Sequence, residues 1–331
     1  MLYPLKFTPI YKERIWGGNK LLNVLGKDCS PLKKIGESWE ISSLEDNVSV
    51  VNNGFLAGNT LNEVLEIYMG DLVGEAIYEE FGNTFPLLIK LLDASEDLSV
   101  QVHPNNDLAV ERHNCYGKTE SWYVVQAEPN SKLVLGFSKG TDKETYLKHL
   151  KNNTLGDILN WKNVKKGDFF YIPAGKVHAI GKGLLILEIQ QTSDITYRIF
   201  DYNRVDGKGN KRELHTEDAL DALDFDSVEN SGVSEKDKNN PNELIHCDFF
   251  SSNLLKVDKE LERDYYSLDC FVIYVCISGS CTIHYEGGTE NLKKGETVLI
   301  PAELTEIKLV PDGLAEIIEV YIDRREENSQ K

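Results

Sequence analysis

The alternation of apolar and polar positions predicts a chain built mainly of β-strands. Short apolar segments rich in β-branched and aromatic residues recur along it, separated by turns that contain Gly, Pro or Asn. Residues 85–92 form an apolar run of the length and composition expected for a strand that is buried on both faces. Further strands are predicted at residues 98–103, 169–172 and 184–190, and the pattern continues after residue 243.

Two segments have helical periodicity instead. In residues 60–81, Thr60 and Glu63 form a capping-box pattern, and apolar residues follow at helical spacing. Residues 141–161 form the second helical segment, in which Asn152-Asn153 favours two short helices over one. We therefore expect helical insertions in a β-rich chain.

One phrase occurs twice and predicts the domain organisation. Residues 165–174 have the sequence Lys-Lys-Gly-Asp-Phe-Phe-Tyr-Ile-Pro-Ala, and residues 293–302, about 128 positions later, have Lys-Lys-Gly-Glu-Thr-Val-Leu-Ile-Pro-Ala. Such a repeat implies two copies of one β module. Residues 229–242 are polar and typical of a solvated linker. We predict an N-terminal module at 1–228, a linker at 229–242 and a C-terminal module at 243–331.

The composition limits which classes of partner and which cellular location we expect. The 331 residues carry a net charge of −18, which disfavours nucleic acid and anionic membranes as partners. An anionic substrate would require cations concentrated at its site. The N-terminus lacks a signal-peptide pattern, and the longest apolar run, residues 271–277, is too short to span a membrane. Six Cys without C-x-x-C spacing indicate reduced thiols, so we predict a cytoplasmic protein.

A candidate metal site lies in the first module. Gln101 and His103 are two residues apart, so on a strand they point to the same face, and Glu120 follows nearby. His178 comes after a Pro-Ala-Gly turn. Such a mixed nitrogen and oxygen set suits a borderline divalent metal, above all zinc. An amide is a weaker ligand than a carboxylate, so Gln101 could instead orient another ligand. No His follows the second copy of the repeat at 303–305, which predicts a metal-free C-terminal module.

Several phrases in this order resemble one family, the type I mannose-6-phosphate isomerases (phosphomannose isomerases) in their short bacterial form. The resemblance spans roughly residues 3–325 and rests on the segments 15–18, 36–40, 101–104, 117–123, 172–180 and 188–198. The phrase at 166–178 also resembles a cupin barrel. The resemblance implies a mainly β fold of two cupin-type (jelly-roll) β-barrel modules with short helical insertions.

The resemblance also implies an activity and a ligand set. It predicts one Zn²⁺ per chain, held by Gln101, His103, Glu120 and His178, with Arg198 as a catalytic residue. The expected reaction interconverts D-mannose 6-phosphate and D-fructose 6-phosphate through an enediol. Two other readings remain open: a cupin isomerase or epimerase acting on another sugar phosphate, and a non-catalytic sugar-binding cupin.

The chemistry of that reaction suggests roles for two more residues. Moving a proton between C1 and C2 requires a base and stabilisation of negative charge on adjacent oxygens. Glu188 is the candidate base or proton shuttle; alternatively, it pairs with Arg198 or Lys118. Lys118 could bind a substrate oxygen or the phosphate; alternatively, it forms a salt bridge at the rim. The sequence leaves open which residue holds the phosphate and which oligomer forms.

Overall fold

The computed structural model describes residues 1–205, 209–226 and 237–324. These residues form 22 β-strands and six α-helices, so the prediction of a mainly β fold with short helical insertions is confirmed. Every strand pairing between them is antiparallel.

The elements follow the chain in two groups. The strands of the first group are β1 (Phe7–Thr8), β2 (Ile10–Gly18), β3 (Ile35–Ile41), β4 (Val50–Val51), β5 (Leu87–Ala94), β6 (Val100–Val102), β7 (Glu120–Ala127), β8 (Lys132–Phe137), β9 (Leu159–Asn163), β10 (Phe169–Ile172), β11 (His178–Ile180), β12 (Leu184–Gln191) and β13 (Tyr197–Phe200). Those of the second are β14 (Pro241–His246), β15 (Ser251–Val257), β16 (Leu261–Asp264), β17 (Val272–Ser278), β18 (Ser280–Tyr285), β19 (Gly288–Lys293), β20 (Thr297–Ile300), β21 (Glu306–Pro311) and β22 (Ala315–Tyr321). The helices are α1 (Lys20–Asn23), α2 (Leu61–Val73), α3 (Glu75–Phe81), α4 (Asn106–His113), α5 (Lys143–Lys151) and α6 (Thr216–Ala222).

Each group contains two facing sheets, and in the first group β1 and β4 form an additional two-stranded sheet. In the first barrel, a six-stranded sheet of order β10-β7-β12-β5-β3-β2 faces a five-stranded sheet of order β13-β6-β11-β8-β9. In the second barrel, the sheets have the orders β14-β15-β22-β17-β20 and β16-β21-β18-β19. Apolar side chains from both sheets of the first barrel, such as Trp122 and Ile180, share one core cluster.

Strand β12 explains how the site is positioned. Leu185, Leu187 and Ile189 point outward into the large core shared with the second barrel, whereas Ile186 points into the first barrel. The strand is therefore buried on both faces, as its unbroken apolar run suggests. By the alternation of side chains, Glu188 shares the inward face with Ile186.

The two barrels are in direct contact through apolar groups and backbone. The rings of Phe85 and Phe271 lie 4.5 Å apart between centroids. Leu5, which precedes β1, exchanges two backbone hydrogen bonds with Leu299 of β20, at 2.8 and 2.9 Å. The N-terminal segment of the chain thus packs on the second barrel.

The helical segment at 60–81 is not one helix. The Thr60–Glu63 capping box is present, but the segment contains α2 and α3, separated at Gly74. Gly74 has a φ of 97°, and a Cβ there would lie 2.0 Å from the carbonyl oxygen of Asp269. Close approach of the second barrel therefore requires Gly at the break between the helices.

The other insertion contains α5, a 3₁₀ turn at Leu155–Ile158 and then β9, so the end of the predicted helical segment at 141–161 is a strand. Helix α4 follows His103-Pro104, where no helix is predicted from the sequence. Its N-terminus is capped by Asn105, whose side chain accepts a hydrogen bond from the backbone N–H of Leu108.

The predicted domain limits stay a prediction. Residues 229–236 of the proposed linker lie outside the described residues, and Pro241 and Asn242 at its end already belong to β14.

Candidate metal centre and cavity

Strand ends deliver the predicted metal ligands to one end of the first barrel. Gln101 lies in β6, with His103 directly after that strand, while Glu120 begins β7 and His178 begins β11. In the antiparallel pairing of β6 and β11, His178 lies opposite Gln101. The structure therefore brings the four side chains together from three different strands.

The two imidazoles and the carboxylate form a compact buried cluster. Ligand atoms of His103, Glu120 and His178 all lie within 4.8 Å of one another. The two Nε2 atoms are 3.1 Å apart, and each lies 3.5 Å from a different oxygen of Glu120. Ligand nitrogens on a tetrahedral zinc ion are separated by about 3.3 Å, so this spacing fits such an ion.

Both imidazoles are oriented as metal ligands. Nδ1 of His103 lies 2.8 Å from the carbonyl oxygen of Ile195, and Nδ1 of His178 lies 2.8 Å from that of Lys176. Each Nδ1–H donates to a backbone carbonyl, so each Nε2 presents a lone pair to the cluster. Burial lowers the pKa of His103 well below its usual range and that of His178 to about 4, which favours the neutral, metal-binding forms.

Glu120 provides an independent test of fit. It is completely buried, yet neither carboxylate oxygen accepts a hydrogen bond from any described residue. Lys118 Nζ lies 3.2 Å from one of these oxygens, without hydrogen-bonding geometry. Two imidazole lone pairs and an unsatisfied carboxylate facing one another are unfavourable without a cation between them. The donor set therefore fits a divalent metal ion.

Gln101 adjoins this cluster. Its Nε2 lies 3.2 Å from Nε2 of His178. Rotating the amide by 180° exchanges the nitrogen and oxygen positions, and the oxygen is the group that can bind a metal. The role of Gln101 as a fourth ligand stays a prediction.

A cavity of about 490 Å³ opens beside the cluster, within the size range of small-molecule sites. Five cationic side chains line it: Arg14, Lys90, Lys118, Arg198 and Arg212. Three anionic side chains also line the cavity: Glu37, Glu188 and Asp194. The cavity is thus locally cationic, in a chain whose net charge is −18. This is the local concentration of cations that an anionic substrate would require.

Lys118 lies inside the barrel and not at its rim. Its side chain is only 4% exposed. Burial opposes its charge, but Glu120, Glu188 and Asp194 outweigh that effect and raise the pKa of Lys118 above its usual value. Lys118 is therefore a buried cation that faces the cavity and lies within ion-pair distance of Glu120.

Glu188 is buried and has one strong hydrogen-bond donor. Its Oε2 accepts a hydrogen bond of 3.0 Å from Nε1 of Trp122, and its Oε1 lies 3.6 Å from Nζ of Lys90. Burial and the neighbouring Glu120 raise the pKa of Glu188. Among the described residues, its ion-pair partner is Lys90; neither Arg198 nor Lys118 lies within ion-pair distance.

Arg198 is held by neutral groups. Its Nε donates to Oγ of Ser99 at 3.2 Å, and its NH1 donates to the carbonyl oxygen of Glu213 at 3.0 Å. Burial, followed by repulsion from Arg212, lowers the pKa of Arg198. The guanidinium thus lines the cavity, and no carboxylate of residues 1–205, 209–226 or 237–324 lies within ion-pair distance of it.

Sequence reasoning missed several cavity residues. Lys90 interrupts the apolar run of β5, and a single Lys in a strand that is otherwise buried was a usable signal. Asp194 stands four residues before Arg198, inside a phrase already singled out for its Arg. Arg212 gives no such signal, because only the folded chain brings it to the cavity.

A buried His, His and Glu cluster at the end of a two-sheet β-barrel defines a cupin-type protein with a candidate metal centre. Within the described ranges, no helix is long and apolar enough to cross a membrane.

Comparisons with known proteins agree with this class. Residues 4–136 match the family "Phosphomannose isomerase type I, catalytic domain", and residues 240–322 match "Mannose-6-phosphate isomerase, cupin domain". The chain is 37% identical over 327 residues to mannose-6-phosphate isomerase ManA of Bacillus subtilis, covering 95% of this chain and 98% of the relative. It is 36% identical over 313 residues to the probable mannose-6-phosphate isomerase GmuF of the same organism, covering 93% and 96%.

Solved structures agree as well. The crystal structure of the mannose 6-phosphate isomerase from Bacillus subtilis superposes with a TM-score of 0.86 at 33% identity, covering 96% of this chain and 99% of that one. A phosphomannose isomerase from Salmonella typhimurium, at 16% identity and a TM-score of 0.78 over 97% of this chain and 100% of that one, shares the fold. The chain belongs to the type I mannose-6-phosphate isomerase family, as the sequence predicts.

Proposed function

We propose that this chain is a zinc-dependent aldose–ketose isomerase that interconverts D-mannose 6-phosphate and D-fructose 6-phosphate. One observation carries the proposal beyond family membership: a buried two-His, one-carboxylate cluster lies beside a cavity with five cationic and three anionic side chains. A phosphate monoester carries nearly two negative charges at neutral pH. The excess of cationic side chains around the cavity has the sign that such a group requires.

His103, Glu120 and His178 would hold the zinc, with Gln101 as the fourth ligand. When bound, zinc would supply Lewis-acid stabilisation of the negative charge that develops on the sugar oxygens. The chemistry of the donor set supports zinc, because neutral imidazoles and a carboxylate suit a borderline divalent ion. We propose one ion per chain.

The protein's own residues would perform the proton transfer. Glu188 is the base or proton shuttle between C1 and C2, since its raised pKa suits a carboxyl group that both accepts and returns a proton. Lys118 donates to a substrate oxygen, because its charge is retained and its side chain faces the cavity. Arg198 adds a charge that does not titrate at working pH.

The test is a coupled assay with mannose 6-phosphate. Chelation should abolish turnover, and added Zn²⁺ should restore it in proportion to bound metal measured by elemental analysis. A panel of other hexose and pentose phosphates run beside it separates this activity from isomerisation of another sugar phosphate. Sugar binding without turnover in zinc-replete protein would instead support a non-catalytic sugar-binding cupin.

A cytoplasmic location is part of the same proposal. All six Cys are free thiols, which favours a reducing compartment.

A further inference from the structure

Behind the cavity, one buried carboxylate holds two arginines. Asp201 follows β13 and is 5% exposed. Arg212 donates its Nε to Oδ2 of Asp201 at 2.8 Å and its NH2 to Oδ1. Arg204 donates its NH2 to the same Oδ1. Burial opposes the charge on Asp201, but the hydrogen bonds from Arg212 and Arg204 outweigh it and lower the pKa of Asp201.

The two arginines that share Asp201 face different directions. Arg212 lines the cavity beside the metal cluster, whereas Arg204 does not. Arg204 donates its other terminal nitrogen to the carbonyl oxygen of Asp97 and stacks over the ring of Tyr202. The chain therefore contains a matched pair: one arginine at the cavity and one, on the same carboxylate, directed elsewhere.

The bidentate pairing fixes the plane of the Arg212 guanidinium. Two parallel hydrogen bonds from Nε and NH2 to one carboxylate leave little rotational freedom. No hydrogen bond from NH1 of Arg212 to a described residue is present. The Nε and NH2 edge of the Arg212 guanidinium thus binds Asp201, and NH1 remains available to a ligand.

A second guanidinium lines the same cavity. Arg198 is held by Ser99 and by the backbone of Glu213, the residue next to Arg212. Arg198 and Arg212 line one cavity, and each guanidinium repels the other. A dianion bound between them would relieve this repulsion and accept hydrogen bonds from both.

We propose that Arg212 is a specificity-determining residue that binds the phosphate of the substrate, and that Asp201 is the positioning residue that fixes its guanidinium. This inference rests on the proposed function, because it assigns the phosphate end of the same cavity. Arg204 shares the carboxylate but has no part in binding.

The experiment compares zinc-loaded wild-type protein with R212Q, R212K, D201N and R204Q. Two quantities are measured: KM and kcat for mannose 6-phosphate, and the Kd of inorganic phosphate by calorimetry. In R212Q we expect KM and the phosphate Kd to rise together by roughly 10- to 100-fold, because a charged hydrogen-bond pair is lost, with kcat changed by only a few-fold. R212K should recover part of the loss, as a point charge without the fixed fork. R204Q should leave both constants within about two-fold, as expected for a residue outside the cavity.

A double-mutant cycle separates positioning from general structural damage. D201N should raise KM in the wild-type background but add nothing to R212Q, because its effect acts through Arg212. Equal effects of R204Q and R212Q, or an unchanged phosphate Kd in both R212Q and R212K, would overturn the inference. A further loss in D201N/R212Q would overturn the positioning role. Phosphate binding that depends on Arg212 in a protein without isomerase activity would instead refute the proposed function alone.

Discussion

The interiors of the two barrels can be compared residue by residue, because their strands pair in the same order. Strands β10-β7-β12-β5 of the first barrel correspond to β20-β17-β22-β15 of the second. The repeated phrase aligns residues 169–172 of β10 with 297–300 of β20. From that anchor, the cross-strand registers assign positions on β7, β12 and β5 to positions on β17, β22 and β15.

This alignment places Glu319 where the first barrel has Glu188. Glu188 lies opposite Trp122 on one neighbouring strand and Lys90 on the other. Glu319 lies opposite Tyr274 and Asn253 in the same way. At the position of the candidate metal ligand Glu120, the second barrel has the apolar Val272. The inner carboxylate is retained in both barrels, while that ligand position is not.

The two carboxylates differ in what surrounds them. Glu319 accepts hydrogen bonds from Nε and NH2 of Arg263 at 2.9 and 3.1 Å, from Asn253 at 2.7 Å and from Tyr265 at 2.5 Å. Glu319 is thus saturated with donors, whereas Glu188 has one hydrogen bond and a cavity beside it. Glu188 and Glu319 thus share a place in the fold but differ in open volume and in spare acceptor capacity, which is why we propose a reactive role for Glu188 alone.

The largest expected difference concerns the metal. H103A should lose bound zinc and at least about 10³-fold in kcat/KM, since several kcal/mol of transition-state stabilisation go with the ion. V272A, at the position equivalent to Glu120 in the second barrel, should keep one zinc per chain and normal turnover. Elemental analysis and the coupled assay measure both. Full activity in metal-free H103A would contradict the assignment.

Removal of the charge from Glu188 and from Glu319 should change kcat to very different extents. E188Q removes the proposed proton carrier and should lower kcat by roughly 10²- to 10⁴-fold at unchanged zinc content. E319Q removes a structural acceptor, so kcat should stay within a few-fold of wild type when measured on folded protein. If both variants lose turnover equally, the distinction between the barrels fails.

The buried cluster of His103, Glu120 and His178 could be predicted from the sequence because these residues lie in short local phrases. His103 comes two residues after Gln101 at the end of one predicted strand, and His178 follows a recognisable turn. The repeat also predicted that the second module lacks a matching His.

The contacts that could not be predicted depend on the register between strands that are distant in sequence. Lys90 and Glu188 are partners across β5 and β12, and Arg263 reaches Glu319 across the second barrel. The sequence around each of these residues does not predict which residue it contacts across the sheet. The break between α2 and α3 at Gly74 likewise reflects contact with Asp269 and not helical propensity. These features required the folded chain.

A third prediction concerns stability. R263M or E319L alone should destabilise the protein by about 3–5 kcal/mol, because either change leaves a buried charge unpaired. The double variant R263M/E319L should cost clearly less than the sum of the two single changes, since both charges are removed together and only Asn253 and Tyr265 lose an acceptor. Urea unfolding followed by circular dichroism measures these differences. The exposed pair Lys308–Glu260 is the control, and K308A should cost no more than about 1 kcal/mol.

The smallest expected difference concerns the aromatic residue beside each carboxylate. Tyr274 contributes its hydroxyl to the contact with Tyr265, so Y274F should cost about 1 kcal/mol of stability and leave turnover unchanged. Trp122 donates directly to Glu188, so W122F should change the acid–base behaviour of that carboxyl and lower kcat several-fold at unchanged zinc content. Unfolding curves and pH–rate profiles of both variants separate the two outcomes. A normal pH–rate profile in W122F would mean that the Trp122 hydrogen bond does not tune Glu188, and that the inner aromatic residue is a packing element in both barrels.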